Sequence, residues 1–384
     1  MSFIESEERR ALREAVAELG AKYGPSYYVA KARAGEKTDE LWREAGALGY
    51  LGVNVPEEYG GGGGGIGDLA AVCEELAAAG CPLLLMVVSP AICATIIARS
   101  GTEEQKKHWL PRFADGSVKM AFAITEPDAG SNAHRITTQA RRDGDGWVLN
   151  GQKTFISGVD EADAVLFVSR TEDQKGNLRP SLFIVPTDTP GFTWTPIEME
   201  IVSPEKQFVC HLDDVRLPYE ALVGDEEGGL LQLFAGLNPE RIMATAMGAG
   251  IGRLALSKAV AYAKDRQVFK VPIGAHQGLA HPLAAAKVEL ELARLMGQKA
   301  AWLYDSGDDL GAGEAANMAK YAAAEAAIHC VDQAIQTHGG NGLTTEYGVG
   351  MLAGVVRLMR IAPVSREMIL NFVAQHSLGL PKSY

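Results

Sequence analysis

The segment Ala121–Ala140, AFAITEPDAGSNAHRITTQA, marks the point where the chain changes from helical to extended patterning. A run of β-forming residues turns sharply at Pro127–Gly130, and the hydroxyl groups of Thr125 and Ser131 flank that turn. Proline and glycine bend the backbone and let it approach a ligand closely. The segment therefore predicts either a seat for a flat polar ring or an ordinary hairpin corner, and the rest of the chain has to decide between them.

The composition bounds the class of protein. The chain has 384 residues, of which 47% are hydrophobic and 22% charged, enough for two or three domains. The formal net charge of −12, without a dense Lys/Arg cluster, argues against nonspecific nucleic-acid binding. Five cysteines without a CxxC pair predict reduced core thiols in the cytoplasm and no zinc site.

Neither the N-terminus nor the most apolar run predicts export or membrane insertion. Met1–Gly20 is acidic and helical, unlike a signal or transit peptide. The apolar run Cys81–Ala98 is interrupted by Pro90 and predicts a buried helix instead of a membrane span. Six consecutive glycines, Gly60–Gly65, predict a mobile loop, and no strand precedes them as a dinucleotide-binding motif requires.

Periodicity divides the chain into three segments. Apolar residues recur at helical spacing through residues 1–118, which we interpret as an N-terminal α-helical domain. Short β-rich runs separated by Gly, Pro and Asp fill residues 119–225 and predict a β-domain, as a barrel or sandwich. Long helical patterns return in residues 226–384 and predict a bundle of long helices, so the order is α, β, α.

Four motifs carry a resemblance to a known family. They are Thr125-Glu126-Pro127 with Gly130-Ser131, Asn150-Gly151-Gln152-Lys153 with Phe155-Ile156-Ser157, Arg266-Gln267-Val268-Phe269, and Gln336 with Gly339-Gly340-Asn341-Gly342. On these motifs the chain resembles the acyl-CoA dehydrogenase family of flavoproteins over essentially its whole length. The resemblance implies an α+β fold with an N-terminal α-helical domain, a middle β-barrel domain and a C-terminal four-helix-bundle domain. It also implies bound FAD, a homotetramer, and an electron-transfer flavoprotein as electron acceptor.

The resemblance also assigns cofactor-binding positions. The residues that match the isoalloxazine seat and its cover are Phe122, Ile124, Thr125, Gly130, Ser131, Phe155 and Ser157. The resemblance implies that Arg266 reaches the flavin diphosphate of the neighbouring subunit. The residues that match this diphosphate and nucleotide site are Arg266, Phe269, Gln277, Gln336, Gly339 and Gly340. The fork of an arginine side chain can hold two diphosphate oxygens, and glycines let backbone amides approach phosphates.

Three positions depart from the family pattern. Phe155 stands where many relatives have Trp, and Asn132 replaces an Asp after Ser131. Lys270 follows Phe269 where relatives commonly have Gly, which leaves the backbone conformation there open.

The resemblance implies α,β-desaturation of an acyl-CoA thioester, in which a carboxylate base removes the α-proton while the β-hydride passes to flavin N5. The position of this base is the main question that the sequence raises. The usual base position aligns with Pro363, which cannot take up a proton. Isovaleryl-CoA and long-chain acyl-CoA dehydrogenases instead carry the base immediately before an Arg, and that position here is Glu240, followed by Arg241. We interpret Glu240 as the catalytic base, and Arg241 and Ser131 as substrate contacts. The placement favours a branched or medium-to-long acyl chain.

Local sequence allows a purely structural role for the same glutamate. Asn238 can cap a helix, Pro239 suits its first position, and Glu240 would then lie in the first turn, where acids complement the helix dipole. The dipole would lower the pKa of Glu240, whereas burial would raise it.

Two other functions stay open from sequence. One is a related flavoenzyme of the same fold, such as an acyl-CoA oxidase or a flavin monooxygenase. The other is a catalytically inactive subunit of a heteromeric dehydrogenase, which Pro363 makes conceivable.

Overall fold

Helices fill the first part of the chain. A computed structural model describes residues 5–172, 175–226 and 229–382. The helices before the first strand are α1 (Glu7–Ala34), α2 (Asp39–Ala47), α3 (Ile66–Ala78), α4 (Leu84–Val88), α5 (Thr95–Ser100) and α6 (Glu103–Ala114). A π-helical turn, Ser89–Ala94, joins α4 to α5. The apolar run predicted to form a buried helix is thus helical and almost wholly buried, with Pro90 inside the π turn.

The six consecutive glycines form a hydrogen-bonded loop, which differs from the mobile loop expected from sequence. The backbone N–H groups of Gly62, Gly63 and Gly64 donate to carbonyl oxygens of the segment 52–55 at 2.8–2.9 Å. A Cβ atom at Gly61 would lie 2.1 Å from the carbonyl oxygen of Val55. Glycine is required there because the two backbone segments touch, so the run is a packing requirement and not a flexible tether.

The middle of the chain forms one eight-stranded sheet. Its strands are β1 (Met120–Ala123), β2 (Gln139–Asp143), β3 (Gly146–Ser157), β4 (Ala164–Glu172), β5 (Leu178–Pro186), β6 (Phe192–Ile197), β7 (Gln207–Pro218) and β8 (Leu222–Val223). The strand order is β6-β7-β3-β2-β4-β5-β8, and β1 pairs in parallel with β4. Among the described strands β6 and β8 end the sheet without pairing with each other, so backbone pairing does not close the expected barrel. The core of this layer is aromatic and aliphatic, with Trp147, Phe167 and Phe183 buried.

Helices return after β8 and form the C-terminal bundle. They are α7 (Gly229–Asp265), α8 (Gln277–Asp305), α9 (Asp309–His338), α10 (Leu352–Ile361) and α11 (Arg366–Phe372). A two-stranded hairpin of β9 (Gln267–Val268) and β10 (Val271–Pro272) separates α7 from α8. Helices α7, α8, α9 and α10 pack together as the four-helix bundle that the resemblance implied.

Helix α7 continues through Pro239, which corrects the helix start expected at Asn238. Proline in a helix interior normally leaves the carbonyl four residues earlier without its partner. Here the Tyr304 hydroxyl on α8 donates to that carbonyl, Ala235 O, at 2.8 Å. The helix therefore begins ten residues earlier than expected, and Glu240 lies in its interior, away from the positive end of the helix dipole.

Small residues let α7 approach its neighbours closely. A Cβ atom at Gly250 would lie 2.4 Å from Glu74 O in α3, and one at Gly252 would lie 2.8 Å from Leu290 Cδ1 in α8. The run Gly248–Gly252, with the sequence GAGIG, is thus a helix-packing motif, as its position inside a helical pattern predicts.

A buried ion cluster joins the N-terminal helices to the bundle. Glu74 and Glu75 on α3 accept hydrogen bonds from Arg13 on α1, Arg253 on α7 and, for Glu74, Arg294 on α8, at 2.7–3.0 Å. Both carboxylates are at most 8% exposed. Removing one partner of such a cluster leaves a buried charge uncompensated, so the cluster fixes how α3 lies against α7.

The β9–β10 hairpin retains its turn despite lacking glycine. Phe269 and Lys270 form the two-residue turn, with φ of 53° and 69°. Positive φ at both positions is the pattern of a type I′ turn, which normally takes Asn or Gly. Lys270 thus adopts the left-handed conformation that the family glycine would supply, which resolves the doubt raised by the sequence.

The hairpin generates a stability prediction. Lys270→Gly should raise the free energy of unfolding by about 1 kcal/mol, because the left-handed conformation is strained for a side chain bearing Cβ. Lys299→Gly, at an exposed position inside α8, is the matched control and should lower it by about 1 kcal/mol. Denaturant titration measures both changes, and a destabilising Lys270→Gly would contradict the assignment of strain.

Candidate active site

A buried ion pair lies beneath the turn at Pro127–Gly130. Lys153 Nζ donates to Glu126 Oε1 at 2.9 Å, and the two side chains are 0% and 4% exposed. The same carboxylate accepts from Thr137 N at 2.6 Å, Thr137 Oγ1 at 2.8 Å and Thr138 N at 2.9 Å. Burial alone would raise the pKa of Glu126, but Lys153 and these donors outweigh it and lower the pKa to about 2. A buried ion pair with several further hydrogen bonds therefore anchors the turn.

The ion pair brings the ends of two strands together. Lys153 Nζ also donates to Ile124 O at 3.0 Å, and Thr154 N donates to Thr125 O at 2.9 Å. The segment after β1 thus lies along the end of β3. Sequence reasoning quoted Glu126 and Lys153 in the family motifs but assigned them no role. The signal available was a pair of opposite charges in two β-rich runs that otherwise bury apolar residues.

Strand β3 presents an aromatic ring at this point. Phe155 adopts φ 57° and is 57% exposed, whereas the next residue, Ile156, is buried. Ser157 exchanges hydrogen bonds with the Gln207 amide at 3.0–3.1 Å. Because the register of β3 against β7 shifts between Lys153 and Ile156, the backbone turns Phe155 out of the sheet.

The other residues predicted for the ring-binding seat lie in β1 and in the turn that follows it. Phe122 is buried in β1, and Ile124 and Thr125 follow it half-buried. Gly130 and Ser131 are exposed in the turn, and a Cβ atom at Gly130 would touch nothing within 4 Å. The segment that carries this set is joined to the end of β3 by the hydrogen bond from Thr154 N to Thr125 O.

Glu240 is an acid without a direct partner. It lies half-buried inside α7, and no hydrogen bond or ion pair of its carboxylate is recorded within the described ranges. Burial raises the pKa of Glu240 to about 7, and the nearby positive charges of Arg241 and Lys320 oppose this rise. The negative charge of Glu240 also acts on Cys93, whose Sγ contacts Ala121 O in β1. The acid therefore lies near the π turn, which packs against both α7 and β1.

The segment at Pro363 is held close to this acid by Lys320. The buried Lys320 on α9 donates to Val364 O, and its charge interacts with that of Glu240. Burial lowers the pKa of Lys320 to about 8 despite that interaction. The two alternative base positions of the family, Pro363 and Glu240, are thus linked through one lysine.

Arg241 points its guanidinium along its own helix. Its Nη1 donates to Asn238 Oδ1 at 3.1 Å, and Asn238 in turn donates to Asp309 O at 3.2 Å. Its Nε is buried without a partner among the residues described. Burial lowers the pKa of this guanidinium, against the attraction of Glu240.

The second predicted set lies at one end of the bundle. Arg266 follows α7 directly, and its carbonyl accepts from Ile273 N at 2.8 Å across the hairpin. Tyr262 on α7 stacks on His338 of α9 at 4.4 Å, and Asn341 donates to the Tyr262 hydroxyl at 3.1 Å. These contacts bring the end of α7 beside the end of α9. In the single chain, all the predicted residues at this end are exposed, namely Arg266, Phe269, Gln277, Gln336, Gly339 and Gly340.

The two sets fit the FAD that the resemblance implies. Phe155 offers an exposed aromatic ring, its neighbour Thr154 bonds to Thr125 O, and the hydroxyl group of Ser131 is exposed in the turn that follows. At the bundle end, Cβ atoms at Gly339 and Gly340 would meet nothing within 4 Å, so a bulky group can approach the backbone there. No group of three or more acidic, His or Cys side chains able to hold a metal occurs in the part of the chain that the structure describes.

Comparison with known proteins places the chain in a family. Models of the acyl-CoA dehydrogenase N-terminal, middle and C-terminal domains match residues 6–117, 121–209 and 227–378. The chain is 68% identical to acyl-CoA dehydrogenase FadE12 of Mycobacterium tuberculosis over 384 residues, which is 100% of this chain and 99% of the relative.

Solved structures of acyl-CoA dehydrogenases have a similar fold. Butyryl-CoA dehydrogenase from Megasphaera elsdenii superposes with a TM-score of 0.93 at 29% identity, covering 98% of this chain and 100% of that one. Glutaryl-CoA dehydrogenase from Mycobacterium smegmatis in complex with FADH2 gives 0.91 at 29% identity, covering 99% and 96%. With its helical, sheet and helical domains, the chain belongs to the acyl-CoA dehydrogenase family of FAD-dependent oxidoreductases.

Proposed function

We propose that this protein catalyses FAD-dependent α,β-desaturation of an acyl-CoA thioester. The observation that carries the proposal is Glu240, an acid inside α7 whose carboxylate bonds to none of the residues that the structure describes and whose pKa is raised to about 7 by burial. A general base works best when its pKa lies near the operating pH. Of the two base positions that the family resemblance offers, Pro363 cannot take up a proton and Glu240 can.

The proposed division of labour follows from the residues. Bound FAD supplies the acceptor for the β-hydride. Glu240 takes the α-proton onto its carboxylate, while Phe155, Thr125 and Ser131 orient the cofactor ring. The neighbouring charges of Arg241 and Lys320 favour the ionised base before the proton arrives, and so keep its pKa from rising further.

Substrate, partners and location are part of the same proposal. A base on α7 reaches the substrate α-carbon from a different wall of the site than a base in the 361–365 segment would. This placement favours a branched or medium-to-long acyl chain. We assign Arg241 and Ser131 to substrate contacts and an electron-transfer flavoprotein to the role of acceptor.

A homotetramer accords with an exposed apolar row on α8, formed by Val288, Leu292, Leu295 and Trp302. The five cysteines are all free and buried, as befits a reducing cytoplasm. No helix in the described ranges is long and apolar enough to cross a membrane.

One experiment tests the activity and the chain preference together. Acyl-CoA esters with straight, branched and aromatic chains are added anaerobically to the FAD-loaded protein, and bleaching of the flavin absorbance is followed. Bleaching by branched or longer esters supports the proposal, and its absence with every ester supports an inactive subunit. Parallel oxygen uptake and dye reduction separate a dehydrogenase from an oxidase or monooxygenase.

The base assignment gives a direct prediction. Glu240→Gln should retain FAD and slow bleaching at least ~100-fold, because an amide cannot take up the α-proton. Glu314→Gln, at an exposed position on α9, is the control and should bleach at the wild-type rate. Stopped-flow absorbance measures both rates, and an unchanged rate in Glu240→Gln would contradict the assignment of Glu240 as the base.

The raised pKa of Glu240 predicts a pH-dependent cost in stability. Its carboxyl ionises less readily in the folded chain than in the unfolded one, so it costs stability as the pH rises from about 4.5 through about 7. Glu240→Gln should therefore be more stable than wild type at pH 8, by up to about 3 kcal/mol. The difference should fall to roughly 0.2 kcal/mol at pH 4, below the pKa of the unfolded carboxyl. Denaturant titration at both pH values checks this, and an equal difference at both would contradict the pKa.

Ser131 should affect the cofactor and not the proton transfer. Ser131→Ala should weaken FAD binding about fivefold, the effect of one lost hydrogen bond, and leave saturated turnover near wild type. Ser117→Ala, another exposed serine, is the control and should change neither value. Fluorescence titration of the apoprotein measures affinity. Loss of turnover with unchanged affinity would show that Ser131 and Glu240 do not divide the work as proposed.

A further inference from the structure

Lys153 is a buried cation with two acceptors of different kinds. Its ammonium bonds to the Glu126 carboxylate at 2.9 Å and to the carbonyl oxygen of Ile124 at 3.0 Å, and its side chain is 0% exposed. Burial lowers the pKa of Lys153 to about 8, against the attraction of Glu126, so the side chain is charged at pH 7. A neutral donor would have been enough to satisfy the Ile124 carbonyl alone.

The Ile124 carbonyl belongs to the same peptide group as the N–H of Thr125. Around this turn the carbonyl of Thr125 accepts from Thr154 N, and the N–H of Glu126 donates to Ala129 O. Within the described residues, no recorded hydrogen bond uses the Thr125 N–H. This amide therefore remains a donor for an acceptor from outside the chain, and its surroundings are only half-buried.

Hydrogen bonds in series strengthen one another. When a cation bonds to the oxygen of a peptide group, electron density moves toward that oxygen and the N–H of the same group becomes a stronger donor. The gain is largest when the acceptor is negatively charged, because charge-assisted bonds are about twice as strong as neutral ones. A donor polarised in this way binds an electron-rich ring more tightly than an electron-poor one.

We propose that Lys153 polarises the Ile124–Thr125 peptide and thereby makes the Thr125 N–H a selective donor to the electron-rich edge of the reduced flavin. Lys153 is then a positioning residue that acts through Thr125, and Glu126 limits the effect by neutralising part of its charge. The inference rests on the proposed seating of FAD beside Thr125. Its consequence is that this ion pair sets how strongly the protein prefers reduced over oxidised FAD.

A purely structural ion pair would behave differently. Removing either partner would then loosen the turn and weaken both redox forms of FAD alike. If the charge acts through the peptide, the two substitutions shift the preference in opposite directions. The decisive quantity is therefore the ratio of affinities for reduced and oxidised FAD, measured as the midpoint potential of the bound flavin.

The test compares Lys153→Gln, Lys153→Met and Glu126→Gln by anaerobic redox titration of the FAD-bound protein. Lys153→Gln retains a donor for Ile124 O but removes the charge, and it should lower the affinity ratio about tenfold, or the potential by about 30 mV for two electrons. Lys153→Met should lower it at least as much. Glu126→Gln leaves the ammonium without its counter-charge and should raise the potential.

A matched control is another buried lysine. Lys119 bonds to the carboxylates of Asp39 and Glu161 and is 10% exposed, but no peptide of the seat accepts from it. Lys119→Gln should change stability without moving the potential. An equal shift in Lys119→Gln, or shifts of the same sign in Lys153→Gln and Glu126→Gln, would overturn the inference.

Two outcomes remain to be separated. If neither Lys153 variant retains FAD, Glu126→Gln decides alone, and an unchanged or lower potential contradicts the inference. Wild-type protein whose flavin no acyl-CoA ester bleaches would refute the proposed activity, while the potentials of the variants would still be measurable and would judge Lys153 independently.

Discussion

The buried ion pair between Glu126 and Lys153 is the constraint on which the candidate site depends. It joins the segment after β1 to the end of β3, two stretches separated by more than twenty residues of chain. Two charges removed from water need pairing and further hydrogen bonds to offset their lost hydration. Glu126 gains them from Thr137 and Thr138, and Lys153 bonds to both Glu126 and Ile124 O. That anchoring positions the backbone around Thr125, and the register shift of β3 against β7 turns Phe155 out of the sheet.

A second feature, the continuity of α7, sets the position of Glu240. A proline in mid-helix would ordinarily end or kink the helix just before Glu240. The Tyr304 hydroxyl satisfies the carbonyl that Pro239 leaves free, and the small residues further along α7 let it press against α3 and α8. Glu240 is thereby held in the helix interior, where burial, and not the helix dipole, dominates its pKa. Lys320 connects this acid to the segment around Pro363, where the family resemblance places the usual base.

Much of the fold could be predicted, because helices and strands leave characteristic residue spacings in the local sequence. Helical spacing and β-rich runs separated by Gly and Pro indicated the α, β, α order, and the family motifs indicated the three-domain fold. Two local interpretations were wrong for identifiable reasons. The glycine run is in close backbone contact with the segment 52–55, and α7 continues through Pro239 with the Tyr304 hydroxyl of another helix bonded to Ala235 O. Helical or extended periodicity does not reveal either contact, because the first is made by backbone atoms and the second by a residue far along the chain.

The sequence by itself determined the family and placed Pro363 at the position that aligns with the usual base, because motifs record chemistry residue by residue; the residues of the flavin seat are its prediction. Only the tertiary structure decided that Glu240 has no bonded partner among the described residues, that Lys270 adopts a left-handed conformation, and that Lys153 bonds to the peptide preceding Thr125. The reason is physical. A pKa, a strained backbone angle and a polarised peptide each depend on what surrounds a group in space, and these surroundings come from segments far apart in the chain.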